Sequence, residues 1–543
     1  MALSLNAEQK PILKILKIED QYIIPSYQRP YSWQYEQCLQ LYNDMMENFK
    51  PINEQNNILP SKDYFLGNII IAKNEENRDL LDVIDGQQRL TTLLLIIKVF
   101  SLLRDDLTIL KEILVKKDWT GKIKGFRIES EVFETDDNES LKKVLELDKS
   151  QINILYNKCL SKNGIDEKKC SNNFETNILY FYHWLKDYKE LNSFIEYFLQ
   201  KLFLLPIELT DKTREEAKEK ALTIFETINN RGMNLEDADI FKAKLHDKAQ
   251  KIGEEKIFID LWKQLKENCD LLDIDIDDVF RFYTHIIRGQ RGISTSEINL
   301  RKFFIDMPYS PFKTKKYNEI MDDLFEIVES LHHYETLKAQ NKWIQLIDIY
   351  TNQYPKIAVI VYLFYKKSYI ELEFNEFLKS LVRYIYYKGS TTKIKFEIYN
   401  IIKIISKGLQ IDNYFQEKVT KEYFDYLGGL KNGYALLAYY LKNDILISFS
   451  IDKIITSKDE KYLVESLRWD KEKIELANNM LGNFVVLDLP KKNISYLEKK
   501  QYFKNSKIDE IRHLADIDFT YEIFEQRDNE LKKRIVDFIK GRS

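Results

Sequence analysis

The segment from Tyr64 to Arg104 constrains the fold more than any other part of the sequence. Residues 64–72 and 80–84 are apolar and rich in β-branched side chains, and the polar turn NEENRD joins them. This pattern predicts a hairpin or a pair of neighbouring strands. Asp85-Gly86 ends the second strand, and residues 87–104 then form an apolar run long enough for a mostly buried helix. The N-terminal region is therefore expected to hold a small mixed sheet and a buried helix.

Most of the remaining chain has helical character. Only 16 Gly and 10 Pro occur in 543 residues, fewer than turn-rich all-β folds use. The further predicted elements are a strand at 20–24, a helix at 34–49, a helical insertion at 105–200, a strand at 201–209, helices at 213–230 and 236–249, helices throughout 255–440, and strand-like segments at 445–451 and 482–489. The fold class is α+β and mostly α, with predicted domains at 1–246, 247–440 and 441–543.

The overall composition excludes several function classes. The sequence has 82 Lys and Arg residues and 86 Asp and Glu residues, which gives a net charge of -4. The overall charge therefore gives no indication of a nucleic-acid partner. Four scattered cysteines suggest a reducing compartment and exclude a cysteine zinc ribbon. The sequence has no P-loop, no HExxH motif and no apolar run long enough to span a bilayer. We expect a cytoplasmic protein with no resident metal site and no membrane partner.

The pentapeptide Asp85-Gly86-Gln87-Gln88-Arg89 is the first candidate site. Gly86 permits a tight reversal, and the free N–H groups and positive dipole end of the next helix favour an anion. Arg89 adds a guanidinium suited to phosphate. Gln87 and Gln88 supply neutral hydrogen bonds, while Asp85 can hold a metal ion, orient a water or fix Arg89. The pattern predicts a phosphate-binding corner. The ordinary alternative is an Asp-Gly turn with Arg89 paired to Asp85 at the surface.

Two further segments concentrate polar and aromatic residues. Pro25–Trp33 places Tyr, Gln, Arg and Trp side chains in one loop bounded by prolines, where aromatics with Arg stack on a base or shape a pocket. A loop held by buried aromatics is the alternative. Phe225–Leu235 puts Asn229 and Arg231 at a helix end, where simple helix termination is the alternative.

These segments together resemble a known family. IPSYQRPYSW, YFLGNIII, VIDGQQRLTTLLLI and IFETINNRGMNLEDADIFKAKL occur in this order and closely resemble the N-terminal, DUF262-like domain of GmrSD-type restriction proteins. The resemblance implies a ParB/sulfiredoxin-like fold, action on modified foreign DNA, and hydrolysis of a nucleoside triphosphate of unspecified type with Mg²⁺. It also implies site residues: Asp85, Gln87, Gln88 and Arg89 at the centre, with Gln28, Arg29, Gly86, Asn229, Arg231 and Lys242 as neighbouring nucleotide-binding residues.

The C-terminal region resembles the HNH-type nuclease domain of the same family. The resemblance lies in LGNFVVL at 481–487, in YLEKKQYFKNS at 496–506 and in Arg527. Such a ββα-metal domain uses a His on its first strand as the base that deprotonates water. Lys453 stands where that His is expected, and a Lys with a pKa of ~10.4 is protonated at neutral pH. We therefore predict a degenerate nuclease site made of Asp452, Lys453, Asn483, Asn493 and Lys499. The alternative is a capping subdomain.

The most basic local stretch is 381–410, where six cations face one acid, Glu397. Cations interleaved with aromatic residues predict a nucleic-acid surface, and a solvated helix face is the equal alternative. The candidate binding residues are Arg383, Lys388, Lys393 and Lys395.

Three functions compete at this point. In the first, nucleotide binding and hydrolysis at the Asp85–Arg89 corner gate recognition of foreign or modified DNA in anti-phage defence, and the chain's own nuclease domain is inactive. In the second, the protein is a non-enzymatic DNA sensor or scaffold that recruits a separate nuclease. The third is a nucleotide-switched, DNA-partitioning clamp of the ParB type. The expected partners are DNA, a partner nuclease and further copies of the chain.

Overall fold

The computed structural model describes residues 6–541, except for 17–18, 51–60, 133–135, 163, 215, 219, 222–236, 294, 296, 389–393, 409–429, 444–445 and 447. The chain forms two compact units, residues 1–263 and 264–543. The domain boundaries predicted near 246 and 440 remain predictions.

The N-terminal unit is built on a seven-stranded mixed sheet. Its strands lie in the order β1-β11-β4-β5-β3-β8, and β2 also pairs with β11. The strands predicted at 64–72 and 80–84 are confirmed as antiparallel neighbours, and the strand predicted at 201–209 runs parallel to the first of them. The strands of this unit are β1 Asn6–Ala7, β2 Lys10–Pro11, β3 Gln21–Ile24, β4 Tyr64–Asn74, β5 Leu80–Asp85, β6 Val115–Lys117, β7 Ile123–Phe126, β8 Ile128–Ser130, β9 Leu160–Ser161, β10 Gly164–Ile165 and β11 Leu202–Asp211.

The helix after β5 lies at the centre of this unit. It begins at Gln87, directly after Gly86, and every side chain from Leu90 to Leu102 is buried. A helix that is apolar on all sides must be surrounded by protein. The helices of the unit are α1 Ile12–Ile15, α2 Tyr35–Asn48, α3 Gln87–Leu103, α4 Thr108–Leu114, α5 Asp137–Glu146, α6 Lys149–Cys159, α7 Asn173–Leu185, α8 Leu191–Lys201, α9 Asp237–Gln250 and α10 Glu255–Leu271, which crosses the boundary between the units.

The insertion at 105–200 is helical for the most part, as predicted, but it also contains strands that the sequence analysis did not predict. β6 and β7 form a separate two-stranded hairpin, and β8 joins the edge of the main sheet beside β3. These strands have only three or four residues. Segments this short carry too little periodicity to be recognised between helices.

The C-terminal unit is largely helical, which confirms the prediction for the described part of 255–440. Its close packing is visible at Gly289, where an added Cβ would lie 2.3 Å from Cγ2 of Ile402. Its helices up to residue 442 are α11 Ile276–Arg291, α12 Leu300–Ile305, α13 Pro311–Thr314, α14 Tyr317–Lys338, α15 Lys342–Asp348, α16 Tyr354–Tyr365, α17 Glu371–Lys388, α18 Lys395–Ser406 and α19 Lys431–Lys442.

The last hundred residues contain two antiparallel strands followed by a helix. β12 (Ser450–Lys453) pairs with β13 (Phe484–Leu487), so that Lys453 lies opposite Phe484. The strand-like segments of the sequence are thus confirmed, although the first strand begins five residues later than predicted. The remaining helices are α20 Glu460–Glu465, α21 Lys471–Ala477, α22 Tyr496–Phe503, α23 Asp509–Asp516 and α24 Tyr521–Ile539. None of the helices in the described ranges combines the length and hydropathy that crossing a membrane requires.

Candidate functional site

The predicted corner forms as β5 passes into α3. Gly86 adopts a left-handed φ of 87° at the N-cap of the helix, and a Cβ there would lie 2.6 Å from Cγ2 of Ile69. Both the φ value and the contact with Ile69 require glycine at this position. The reversal directs the first backbone N–H groups of α3 toward the end of β5, where an anion would be favoured.

The two glutamines of the corner are buried and bind the loop at 25–33. The Gln87 amide donates to Gln28 Oε1 at 3.0 Å and to the Arg29 carbonyl at 3.2 Å. Gln88 accepts from the Ser32 N–H and donates to the Pro30 carbonyl, both at 2.8 Å. Since both amides are occupied by backbone and loop groups, these glutamines hold the loop against the helix start.

Gln28 completes this link from the loop side. Its side chain donates to the Ile84 carbonyl at 2.8 Å, so the loop is tied to β5 as well as to α3. The adjacent Arg29 is exposed. The loop therefore presents an exposed cation, Arg29, beside amide groups that are held by hydrogen bonds.

Arg89 is held at the corner by a glycine cradle on β4. Its Nη1 donates to the Asn68 carbonyl at 3.0 Å, and a Cβ on Gly67 would lie 3.0 Å from the same nitrogen. Gly67 has a φ of 115°, a conformation that other residues rarely adopt. The guanidinium is half-buried. Arg89 is therefore partly accessible to solvent, and its hydrogen bond to Asn68 sets the orientation of the guanidinium.

Asp85 lies close enough to Arg89 and Arg29 for both positive charges to act on its carboxyl group. Burial raises the pKa of its carboxyl group, while the N–H of Gly86 and the charges of Arg89 and Arg29 oppose that rise. Burial lowers the pKa of Arg89, and the Asp85 carboxylate opposes that change. An acid with a raised pKa beside two guanidiniums is an arrangement typical of functional sites.

Of the remaining predicted nucleotide-binding residues, the structure describes only Lys242. Lys242 on α9 is buried and donates to the Gln28 carbonyl at 3.3 Å, which brings it to the loop. His246, one turn later, shares a 3.1 Å hydrogen bond with Ser26, and burial lowers its pKa. Asn229 and Arg231 lie outside the described residues.

A second charged cluster, which the sequence analysis missed, surrounds Asp82 on β5. Asp82 is buried and accepts two hydrogen bonds from Arg214, at 2.8 and 2.6 Å, while Lys218 lies 3.4 Å away. Arg214 also binds Glu131 at 3.0 Å. The available signal was an acid inside an apolar strand, because a buried carboxylate requires a cationic partner.

The predicted nuclease residues lie around the end of β12, but most are engaged with protein groups. Lys499 on α22 is buried, forms a 3.1 Å ion pair with Asp452 and donates to the Lys453 carbonyl. Asn483 is buried, and its amide bonds both backbone groups of Ile455, at 2.8 and 3.0 Å. Asn493 accepts from Lys458 at 3.0 Å.

Lys453 itself lies near other cations. Partial burial and the charges of Lys431, Lys491 and Lys499 lower its pKa. Its ammonium group lies 5.7 Å from the centre of the Phe484 ring. The neighbouring Asp452 carboxylate is paired with Lys499 and not with the Lys453 ammonium group.

The predicted basic surface at 381–410 is occupied in part by internal contacts. Arg383 donates to the Phe538 carbonyl at 3.0 Å, and Lys395 forms a 3.1 Å ion pair with Glu297. The Lys388 side chain and Lys393 lie outside the described residues. A DNA-binding role for this stretch remains a prediction.

Comparison with known protein families gives one match. Residues 12–246 match the family described as GmrSD restriction endonuclease, N-terminal domain. The match covers the N-terminal region and confirms the resemblance of its four motifs to the N-terminal domain of GmrSD-type restriction proteins. No curated protein matches the chain.

Proposed function

We propose that the Asp85–Arg89 corner binds and hydrolyses a nucleoside triphosphate, and that this cycle gates recognition of foreign or modified DNA in anti-phage defence. One observation carries the proposal: a half-buried carboxylate is under the electrostatic influence of two guanidiniums at the point where a buried helix begins. Helix N–H groups and guanidiniums both favour phosphate. The family of the N-terminal domain supports the connection to restriction of DNA.

The residues of the corner then take distinct roles. Arg89, anchored on Asn68, would bind a phosphate in a fixed direction, whereas exposed Arg29 would close on it from the loop. Asp85 would orient the attacking water and accept its proton. Gln87 and Gln88 are positioning residues, because their amides hold the loop that carries Arg29.

Magnesium would fit this corner together with the nucleotide. No group of three or more metal-ligating side chains occurs among the described residues. Magnesium at nucleotide sites is commonly held by one or two carboxylates and the substrate phosphates. Asp85 would be the carboxylate, and the bound ion would neutralise charge on the phosphates.

We also propose that the β12–β13–α22 segment cuts no DNA. Its buried Asp452 is neutralised by Lys499, and the Asn483 amide forms hydrogen bonds with the backbone of Ile455. Neither side chain is then available to a metal ion. A separate nuclease would supply the cut, and the same observation favours the second candidate function, a DNA sensor that recruits such a nuclease.

The nucleotide proposal is tested by phosphate release from a panel of nucleoside triphosphates, with and without modified DNA. Asp85→Asn and Arg89→Ala should each lower turnover by at least about a hundredfold, the range for a group that stabilises developing charge. Asp79→Asn and Arg78→Ala, exposed residues in the turn before β5, are matched controls and should leave it unchanged. Wild-type turnover in both corner variants would show that the site is assigned wrongly. Binding of modified DNA without any turnover in the wild type would favour the sensor.

The nuclease proposal is tested by incubating plasmid and phage DNA with the full chain in Mg²⁺ and in Mn²⁺. We expect intact DNA in every reaction. Robust cutting that disappears in Lys453→Ala would overturn it.

A further inference from the structure

The hairpin formed by β6 and β7 carries a tryptophan in an unusual position. Trp119 lies in its turn and is 97% exposed, and Ile123 on the next strand is 59% exposed. Large aromatic side chains are mostly buried in folded proteins. The hairpin therefore presents an apolar ring to solvent at its tip.

The turn that carries Trp119 is held in a single conformation. The Asp118 carboxylate accepts hydrogen bonds from the N–H groups of Thr120 and Lys122, at 2.9 and 3.0 Å. Gly121 provides the left-handed φ of 82° that closes the turn. A backbone that is already fixed by such a turn loses little conformational freedom when the turn meets a ligand.

The base of the hairpin is fixed just as firmly. Arg127 is fully buried and donates to the carbonyls of Glu112 and Ile113, which precede the hairpin, and to that of Val115, its first residue. It also donates to the carbonyl of Asp20, directly before β3. Gly125 lies against Glu129, where an added Cβ would be 2.3 Å from the carboxylate. The tip thus projects from an anchored support.

The charge around the tip is mainly positive. The segment Lys116–Lys124 reads KKDWTGKIK, with four lysines and one aspartate. The aspartate, Asp118, accepts the hydrogen bonds of the turn and lies 3.5 Å from the Lys124 ammonium group. Lys122 directly precedes β7 and Lys124 lies on it, and both side chains are exposed. Lysines beside an exposed aromatic ring match the two parts of a nucleic acid strand, its phosphates and its bases.

We propose that this hairpin is a DNA-contacting element, in which Lys122 and Lys124 bind phosphates and the Trp119 ring stacks on an unpaired base. The inference rests on the proposed recognition of DNA by this chain and extends it to a surface outside the nucleotide corner. An anionic membrane would also attract lysines and tryptophan. A membrane anchor buries a larger apolar face than one ring and one isoleucine provide.

The test uses the full chain and fluorescently labelled DNA in three forms: single-stranded, fully paired, and paired with one unpaired base. Trp119→Ala should weaken binding to the first and third forms about tenfold, since stacking on one base contributes about 1–3 kcal/mol. The salt dependence of this variant should stay as in the wild type. Trp119→Phe should recover most of the affinity.

The lysines are tested by the salt dependence itself. Lys122→Gln with Lys124→Gln should reduce the slope of log affinity against log salt by about 1 to 2, because two phosphate contacts are lost. Ile154→Ala and Lys158→Gln, exposed residues on α6, are the matched controls and should behave as the wild type. An unchanged slope would overturn the role of the lysines.

Wild-type DNA affinity in Trp119→Ala would overturn the proposal, as would Trp119-dependent binding to phosphatidylserine vesicles without Trp119-dependent binding to DNA. Phosphate release without DNA, measured on the same preparations, separates the two proposals. Its absence in the wild type counts against the nucleotide corner, while the affinity of Trp119→Ala still decides the hairpin.

Discussion

At the scale of single residues, the Asp85–Arg89 corner depends on close contact between a glycine and an arginine. Gly67 permits the Arg89 guanidinium to lie flat against β4, 3.0 Å from where a Cβ would stand. A side chain at this point would move the guanidinium away from Asn68. The position of the cation is therefore set by a residue that carries no functional group.

We expect Gly67→Ala to destabilise the protein by about 1–2 kcal/mol through its positive φ and also to weaken nucleotide binding. Gly253→Ala is the control, because Gly253 has a φ of 74° and open space around its Cβ position. Thermal unfolding and nucleotide titration measure the two effects. Equal nucleotide affinity in both variants would contradict the role of Gly67 in placing Arg89.

A second residue-scale prediction concerns the buried ion pair of Asp452 and Lys499. Lys499→Met should lower the free energy of unfolding by about 3 kcal/mol, because it leaves an unpaired buried carboxylate. Adding Asp452→Asn should recover part of that loss, since Asn keeps the 2.8 Å hydrogen bond from the Lys453 N–H without the charge. Urea unfolding of these two variants and of Asp452→Asn alone gives the coupling energy. If the losses of unfolding free energy from the two substitutions simply add, the two charges do not stabilise each other in the folded protein.

At the scale of elements, the loop at 25–33 and the start of α3 act as one part. Four amide hydrogen bonds from Gln87 and Gln88 join them, and Gln28 ties the same loop to β5. The motif predicted that the two glutamines bind the nucleotide itself. Their contacts in the structure are with the loop, so in the proposed function they would act on the nucleotide through the loop.

Gln88→Ala should therefore lower nucleotide affinity although its side chain touches no phosphate. Loss of its two buried hydrogen bonds should also cost about 1–3 kcal/mol of stability. Gln37→Ala on α2, an exposed glutamine in a local cap, is the control. Nucleotide titration and urea unfolding supply the measurements, and wild-type affinity in Gln88→Ala would argue against the loop's part in binding.

At the scale of the whole molecule, the C-terminal unit should be sensitive to acid. Burial lowers the pKa of His285 on α11 to about 4, and its Nδ1 has no hydrogen-bond partner among the described residues. His285 and Glu297 both line a cavity of about 780 Å³. The pKa of Glu297 is lowered to about 2, because hydrogen bonds from Tyr354, Tyr399 and Lys395 stabilise its carboxylate and outweigh the effect of burial.

The sign follows from proton uptake. Below its ordinary pKa of about 6.5, His285 binds a proton when the protein is unfolded but not when it is folded, so acid favours unfolding. Between pH 7.5 and 5 this one group should remove about 2 kcal/mol of stability. Glu297 adds a further loss as the pH falls from about 4.5 toward 2.

Urea unfolding of His285→Phe at pH 7.5 and 5 checks this prediction. Phe keeps the stacking on Tyr399, and the variant should lose about 2 kcal/mol less than the wild type over this interval. His513→Gln, at an exposed histidine, is the control. An identical pH dependence in His285→Phe and wild type would show that His285 is not the responsible group.

The sequence by itself determined the strand β5, the reversal at Gly86, the helix α3 and the family of the N-terminal domain. These depend on local periodicity, on turn chemistry and on motifs read along the chain. Only the tertiary structure decided that Gln87 and Gln88 bind the loop and that β8 joins the edge of the sheet. It also decided which cations neutralise the two buried acids: Arg214 pairs with Asp82, and Lys499 pairs with Asp452. The physical reason is separation: the partners lie tens to more than a hundred residues apart along the chain, so their pairing depends on strand register and packing, which no local pattern encodes.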